Sequence, residues 1–413
     1  MHVVFAIPYA MENTLRFARA TASLPGVRLS VVTQDAADKF PADFRGLLAG
    51  FERVANAMQV EDLVAGVQAL AAAHGPVERL LGILEPLQEP LAMVRERLRI
   101  RGMDAVTARN FRDKARMKDL FAAHDVPCAR HQLCDSLASA MAFAAQAGFP
   151  LVGKPPAGAG AKSTARCDTM EELTAFVRQS RPAPGREVLL EEFVLGREFS
   201  FDSVTLHGAH VFHNISCYYP TPLEVMENPW IQWCVVLPRS LDEPEYAAIH
   251  RVGPRALGML GMWTGMSHME WFRRPDGSIA IGEVAARPPG AQFMSLMSHV
   301  TDTDMYRAFA QLMVAETFTA PARRYAAGAA YLRGQAAGGV AADHDSVVRA
   351  VHGIERIRGD LGELIVEAKL PVPGKAASTS YEGDGFVIVR HPDTQVVTKA
   401  VQHIVNTVRV DLA

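Results

Sequence analysis

The chain has 413 residues, of which 49% are apolar and 21% charged, with a formal net charge of −3. This length supports two or three domains with sizeable cores, and the composition is that of an ordinary soluble globular protein. The near-balanced charge carries no basic block, which argues against a nucleic-acid partner, and the most apolar long window, Ala55 to Ala73, is broken by Glu61 and Asp62 and does not suit a membrane span.

In chain order, the opening MHVVFAIP lacks a basic n-region and reads as a first strand, Val3 to Ile7, rather than a signal peptide. A helix from Asn13 to Ser23, a strand from Val27 to Thr33, an Ala-rich helix from Val60 to His74 and a strand from Leu80 to Leu84 follow. Together they predict an α/β unit over residues 1–106. No G-x-G-x-x-G follows the first strand, so a dinucleotide site is not supported. A helix is expected from Asn110 to His124, ended by Val126-Pro127. Lys114 and Lys118 ride on it, where a lysine is usually part of a solvated face. Another helix runs from Ser136 to Ala147 and closes at Gly148.

Gly153-Lys154-Pro155 superficially spells a P-loop, but Pro155 has neither the hydroxyl nor the N–H that a P-loop needs after its lysine. Phe149 to Val152 instead reads as a strand with Lys154 at its end, followed by small residues from Ala157 to Thr164 whose N–H groups suit phosphate. Asp168 and Glu171 make a capping-box signature for a helix to Gln179. Strands are expected at Val188 to Val194 and at Phe199 to Leu206. His207, His210 and His213 are spaced by three, yet a turn at Gly208-Ala209 should keep them from converging on one face. Tyr218 to Leu237, rich in aromatics and proline, reads as a loop that either lines a substrate pocket or packs on the sheet. A helix starts at Asp242 with a kink at Gly253-Pro254, and another spans Asp304 to Thr317. Beyond Pro321 the pattern is strand, helix, strands around Gly383-Asp384-Gly385, and a closing helix from Gln395 to Asn406.

The most informative stretch is His268 to Gly290. Asp276-Gly277 between two apolar-rich runs predicts a hairpin with a two-residue turn. Phe272 then faces Ile281, Trp271 faces Gly282, and Glu270 faces Glu283. Directly opposed carboxylates repel unless a cation sits between them, and oxygen ligands on rigid strands suit Mg²⁺. Glu283, Ala285 and Arg287 share one face.

On these residues the chain resembles the ATP-grasp carboxylate–amine ligases, most closely the L-amino acid ligase type. Asp113-Lys114 with Asp125-Val126-Pro127, Phe149 to Pro155, Glu191-Glu192-Phe193-Val194 with Glu198, and Glu270, Glu283 and Arg287 are similar to that family's motifs, in its order. The resemblance implies an α/β (α+β) ATP-grasp fold. It has an N-terminal Rossmann-like pre-grasp domain (1–106), a two-lobed grasp (107–190 and 191–320) and a C-terminal α/β domain (321–413). It also implies roles. Lys114 and Lys154 would grip ATP phosphates, and the loop holding Gly158, Gly160 and Ser163 would close over them. Glu191 and the main chain of Glu192 and Val194 would select adenine, and Glu198 would take the ribose. Glu270 and Glu283 would hold Mg²⁺, for which Mn²⁺ can substitute, and Arg287 would steady the phosphoryl or tetrahedral oxygens.

The implied reaction joins a carboxylate to an amine through an acyl phosphate, releasing ADP and phosphate. Its substrates are small molecules, with amino acids first among them and no nucleic acid or membrane involved. A homodimer through the N-terminal domain is plausible. The family's E-x-N-x-R reads Glu283-Val284-Ala285-Ala286-Arg287 here, which removes one oxygen ligand for a second metal. Two alternatives stay open: a purine-pathway ligase or transformylase, and an ATP-binding protein that has lost its chemistry. Five cysteines without a C-x-x-C pair fit free thiols in a reducing cytoplasm.

Overall fold

In the computed structural model, which describes residues 1–157, 164–228, 231–335 and 345–413, a parallel sheet comes first. It contains β1 (His2–Ala6), β2 (Arg28–Thr33), β3 (Leu48–Arg53) and β4 (Arg79–Leu81) in the order β3-β2-β1-β4. β1 is apolar without alternation because both its faces are covered. Val3 and Phe5 pack with Phe17 of helix Glu12–Ala22, while Val4 and Ala6 pack with Leu63 and Val67 of helix Val60–His74. β4 is shorter than expected, since a single 3₁₀ turn, Glu85–Leu87, follows it closely.

The single helix expected from Asn110 is two, Ala105–Arg112 and Lys114–Ala123. Asp113 breaks the run at φ −89° and ψ 105°, and its carboxylate accepts from the N–H groups of Ala115 and Arg116. This N-cap places Lys114 at the first position of the second helix.

Four antiparallel strands follow: β5 (His131–Cys134), β6 (Leu151–Lys154), β7 (Ala165–Cys167) and β8 (Val188–Glu192), in the order β5-β8-β6-β7. The N-cap of the intervening helix, Met170–Ser180, is Thr169, one residue later than expected. Thr169 accepts from the Glu172 N–H, and the Glu172 carboxylate returns to the Asp168 N–H.

Next in the chain are β9 (Arg197–Leu206), β10 (Ala209–Tyr219), β11 (Trp233–Leu237), β12 (Gly265–Arg273), β13 (Ile279–Ala285) and β14 (Ala326–Leu332). After them come β15 (Gly334–Gln335), β16 (Val348–His352), β17 (Ile365–Lys369), β18 (Gly385–His391) and β19 (Arg409–Leu412). The large sheet runs β13-β12-β9-β10-β11-β14-β18-β17, and β15-β19-β16 form a small one. Strands from before and after residue 320 therefore share one sheet, stitched by Trp233 opposite Tyr331 and Val235 opposite Ala329.

The loop expected at 218–237 is a correction. β10 continues to Tyr219, a short helix spans Pro222–Glu227, and β11 is buried along its length. Pro220 and Pro238 follow the ends of β10 and β11, and Pro222 opens the short helix at its first position, all places where proline is tolerated. The histidines are a second correction. His207 and Gly208 form the turn with φ of 51° and 78°, and His207 goes to Glu316. A register shift between His210 and Phe212 then brings His210 Nε2 to 3.0 Å from His213 Nδ1. Helix Ala247–Leu260 begins after a 3₁₀ turn rather than at Asp242, and helix Phe293–Thr301 was not anticipated. All five cysteines are free thiols, in agreement with the reading from their number.

Candidate active site

Glu270 does face Glu283, by a different route from the one expected. The turn has three residues, Pro275-Asp276-Gly277: Arg274 N–H donates to Ser278 O, and Arg273 pairs with Ile279. Phe272 therefore faces Ala280, and Trp271 faces Ile281. A register shift beside Gly282 then restores the offset, so that Glu270 meets Glu283 and His268 meets Ala285. Two one-residue offsets cancel. A Cβ at residue 282 would lie 3.0 Å from the Phe272 ring, a close approach that suits glycine at the bulge. Its carbonyl accepts a hydrogen bond from Lys118 Nζ at 2.7 Å.

These carboxylates open into a cavity of about 660 Å³ between the two antiparallel sheets. Lys114, Lys154, Glu191, Glu192, Val194, Glu198, Glu270, Glu283 and Arg287 all line it. Residues spread from Lys114 to Arg287 are thus brought together. Gly158, Gly160 and Ser163 lie outside the described residues.

Charge inside the cavity is paired. Lys114 Nζ stands 2.6 Å from Glu283, and Lys154 Nζ 2.9 Å from Glu191. Burial disfavours the Glu283 carboxylate, yet Lys114 and Lys154 hold its pKa below the ordinary value. Glu191 follows the same pattern: burial opposes its charge, but Lys118 and Lys154 win. Burial likewise works against the Lys154 ammonium, and Glu191 and Glu283 raise its pKa nonetheless. At Glu198 burial comes first and Glu270 adds to it, pushing the carboxyl well above the carboxylate range. The Glu192 side chain points to Arg130 and Arg274, at 2.6 and 3.2 Å.

Two contributors, Lys118 and Glu85, were missed, and a third, His268, was placed by the hairpin register without its partner. Lys118 is fully buried rather than solvated, spanning Gly282 O and Glu191, the latter at 3.4 Å. Its spacing of four from Lys114 was the available signal. Glu85, from the 3₁₀ turn after β4, holds Arg287 at 2.9 Å and Arg112 at 2.9 Å. Nothing in its local sequence marks it. His268 donates to Asp202 at 2.6 Å; burial works against its charge, but Asp202 lifts its pKa to about 9.

Among the described residues no group of three or more His, Cys, Asp or Glu side chains is arranged to cage a metal. Two opposed carboxylates fit Mg²⁺ all the same, because that ion takes one or two protein carboxylates and completes its shell with water and phosphate oxygens.

Residues 113–200 match the family described as carbamoyl-phosphate synthase L chain, ATP binding domain. The whole chain superposes on the L-amino acid ligase from Bacillus licheniformis with a TM-score of 0.76, at 16% identity, covering 99% of this chain and 98% of that one. The fold is that of the ATP-grasp ligases. In sequence the chain is 24% identical over 221 residues to an L-arginine-specific L-amino acid ligase of Bacillus subtilis, covering 52% of each chain. It is 36% identical over 110 residues to a phosphoribosylamine–glycine ligase of Mesorhizobium japonicum, covering 26% of each. The chain spans about half or less of the length of the curated relatives it matches. No helix among the described residues is long and apolar enough to cross a membrane.

Proposed function

We propose that this protein is an ATP-dependent ligase that joins a small-molecule carboxylate to an amine, with amino acids as the substrates. The observation that carries the proposal is the meeting of Glu270 and Glu283 on β12 and β13 with Lys114, Lys154 and Arg287 around one cavity. ATP brings about four negative charges, and its γ-phosphoryl transfer is catalysed mainly by positioning and charge stabilisation. Lys114 and Lys154 take the phosphates. The main chain from Glu192 to Val194 reads adenine. The Glu191 carboxylate, committed to Lys118 and Lys154, positions the phosphate lysine. Glu198 takes the ribose, and Glu270 and Glu283 hold Mg²⁺, which would offset charge on the phosphate oxygens.

A substrate carboxylate oxygen attacks the γ-phosphorus, the bond to the bridging oxygen breaks, and ADP leaves. The amine nitrogen then attacks the acyl carbon; phosphate departs carrying one former carboxylate oxygen, and the amine loses a proton. Arg287, clamped by Glu85, faces the oxygens that gain charge in both steps. In this reading the N-terminal unit is residues 1–106, the grasp 107–320, and the C-terminal unit 321–413, working in the cytoplasm with a homodimer as the assembly to test. The L-amino acid ligase reading is preferred to the purine-pathway one because, at equal coverage, the superposition on that type has a TM-score of 0.76, against 0.69 for the phosphoribosylglycinamide synthetase from Anaerococcus prevotii. Phosphate release measured over a matrix of amino-acid pairs tests it: release that needs ATP, a carboxylate and an amine together is expected. Release indifferent to both substrates would contradict it.

A further inference from the structure

The cavity has a second, unused half. Beyond the paired carboxylates its wall is aromatic: Tyr218 of β10, Trp233 of β11, Phe293 at the start of helix Phe293–Thr301, and Tyr381. The rings form one continuous surface. Tyr218 lies 5.9 Å from Trp233 and 6.0 Å from Phe293, and Tyr381 meets Trp233 edge-on at 5.0 Å. Its near end touches the reaction zone, since Phe293 is 5.9 Å from the ring of His268, which sits opposite Ala285 and two residues from Glu270. The surface is rigid before any ligand arrives. Trp233 stacks on Tyr331 at 4.5 Å and donates its Nε1–H to Pro220 O at 3.1 Å, and the Tyr331 hydroxyl donates to Ala291 O.

We propose that this recess holds the side chain of the acyl substrate, that this substrate is an amino acid with an apolar or aromatic side chain, and that Tyr381 sets the size accepted. The inference rests on the ligase reading above. The carboxylate that attacks the γ-phosphorus must reach the space beside Glu270 and Glu283, and what it carries then falls against the neighbouring rings. A charged side chain pressed against these rings would lose water for little return, because they offer only the phenol groups of Tyr218 and Tyr381 and a Trp233 Nε1–H already given to Pro220 O, while the nearest carboxylates and Arg287 line other parts of the cavity. Apolar side chains gain by leaving water at the same surface. Tyr381 is the adjustable member: Tyr218, Trp233 and Phe293 are buried in the core, whereas Tyr381 is only partly buried and comes from a connection between strands.

Hydroxylamine in place of the amine tests this without knowledge of the second substrate. Its nitrogen attacks the acyl phosphate, phosphate leaves, and the product is a coloured hydroxamate in ferric solution. With ATP and Mg²⁺, leucine, methionine and phenylalanine should give kcat/KM at least about tenfold above aspartate and lysine. Tyr381→Ala should raise KM for the favoured amino acid about tenfold while leaving KM for ATP within about twofold, and Tyr381→Phe, which keeps the ring, should keep the ranking. Hydroxamate formed faster from aspartate or lysine than from the apolar amino acids would overturn the recess and leave the ligase reading standing. No hydroxamate from any carboxylate would overturn both.

Discussion

Replacing Lys118 with methionine keeps the apolar stem and removes a fully buried ammonium group. The Gly282 carbonyl then loses a donor at 2.7 Å, which costs about 1–3 kcal/mol for an acceptor left buried. Glu191 loses one of its two cations but keeps Lys154 at 2.9 Å, so the loss stays below the roughly 3–5 kcal/mol of stripping a buried charge of its partner. Methionine also avoids the cost of burying a charge, which offsets part of both. The net expectation is destabilisation by about 2–3 kcal/mol. With a urea m-value near 3 kcal/mol/M, at the upper end for small proteins, the tryptophan-fluorescence midpoint should fall by about 1 M. ATP affinity should weaken severalfold in the same variant, because the whole Glu191 charge then draws Lys154 away from phosphate. A urea midpoint within about 0.2 M of the parent protein, with unchanged ATP affinity by calorimetry, would refute the bridging role.

Glu283→Gln keeps the side-chain shape and removes the charge beside Lys114; turnover should drop about 10²–10³-fold with the circular dichroism spectrum unchanged, and near-normal turnover at saturating Mg²⁺ would sink its assignment. Lys154→Ala should raise the calorimetric Kd for ATP by about 10–100-fold, the worth of one charge-assisted hydrogen bond, and an unchanged Kd would return Lys154 to a structural role. Acid should weaken the fold through His210 and His213, whose pKa values burial lowers from 6.5 to about 4 and about 3. As pH falls the unfolded chain takes up these protons first. The stability they contribute is therefore complete above pH 6.5 and is lost as pH falls from there through 4 and 3, at roughly 1.4 kcal/mol per pH unit for each histidine. His213→Phe should flatten the difference between urea midpoints at pH 7 and pH 5, and an unaltered difference would contradict it.

What the sequence disclosed was mostly local or carried by ordered motifs. Val3 to Ile7 and the closing helix were legible because apolar spacing marks them, and Lys154, Glu191 and Glu283 because they stand in runs with a known order. The hairpin shows where such reasoning is fragile. The opposition of Glu270 and Glu283 was obtained from a turn one residue too short, and it survived only because the Gly282 bulge restores the register. A bulge has no reliable sequence mark, and another at His210 and Phe212 placed two histidines together against expectation. Periodicity alone ran through Asp113, whereas the family motif Asp113-Lys114 marked a helix start there, and the Asp113 carboxylate does cap the helix that follows. Contacts between distant segments were the least legible. Glu85 meets Arg287 202 positions away, and Lys118 meets Gly282 164 positions away; periodicity carries no information about either.

The central claim is that a substrate carboxylate oxygen is phosphorylated by ATP. It is tested most directly with an amino acid labelled with ¹⁸O in both carboxylate oxygens, turned over with ATP and an acceptor amine, and with the phosphate and nucleotide analysed by mass. The account predicts ADP as the nucleotide, and inorganic phosphate that carries one ¹⁸O atom per amide formed. AMP bearing the label, or ADP with phosphate that contains none, would contradict it.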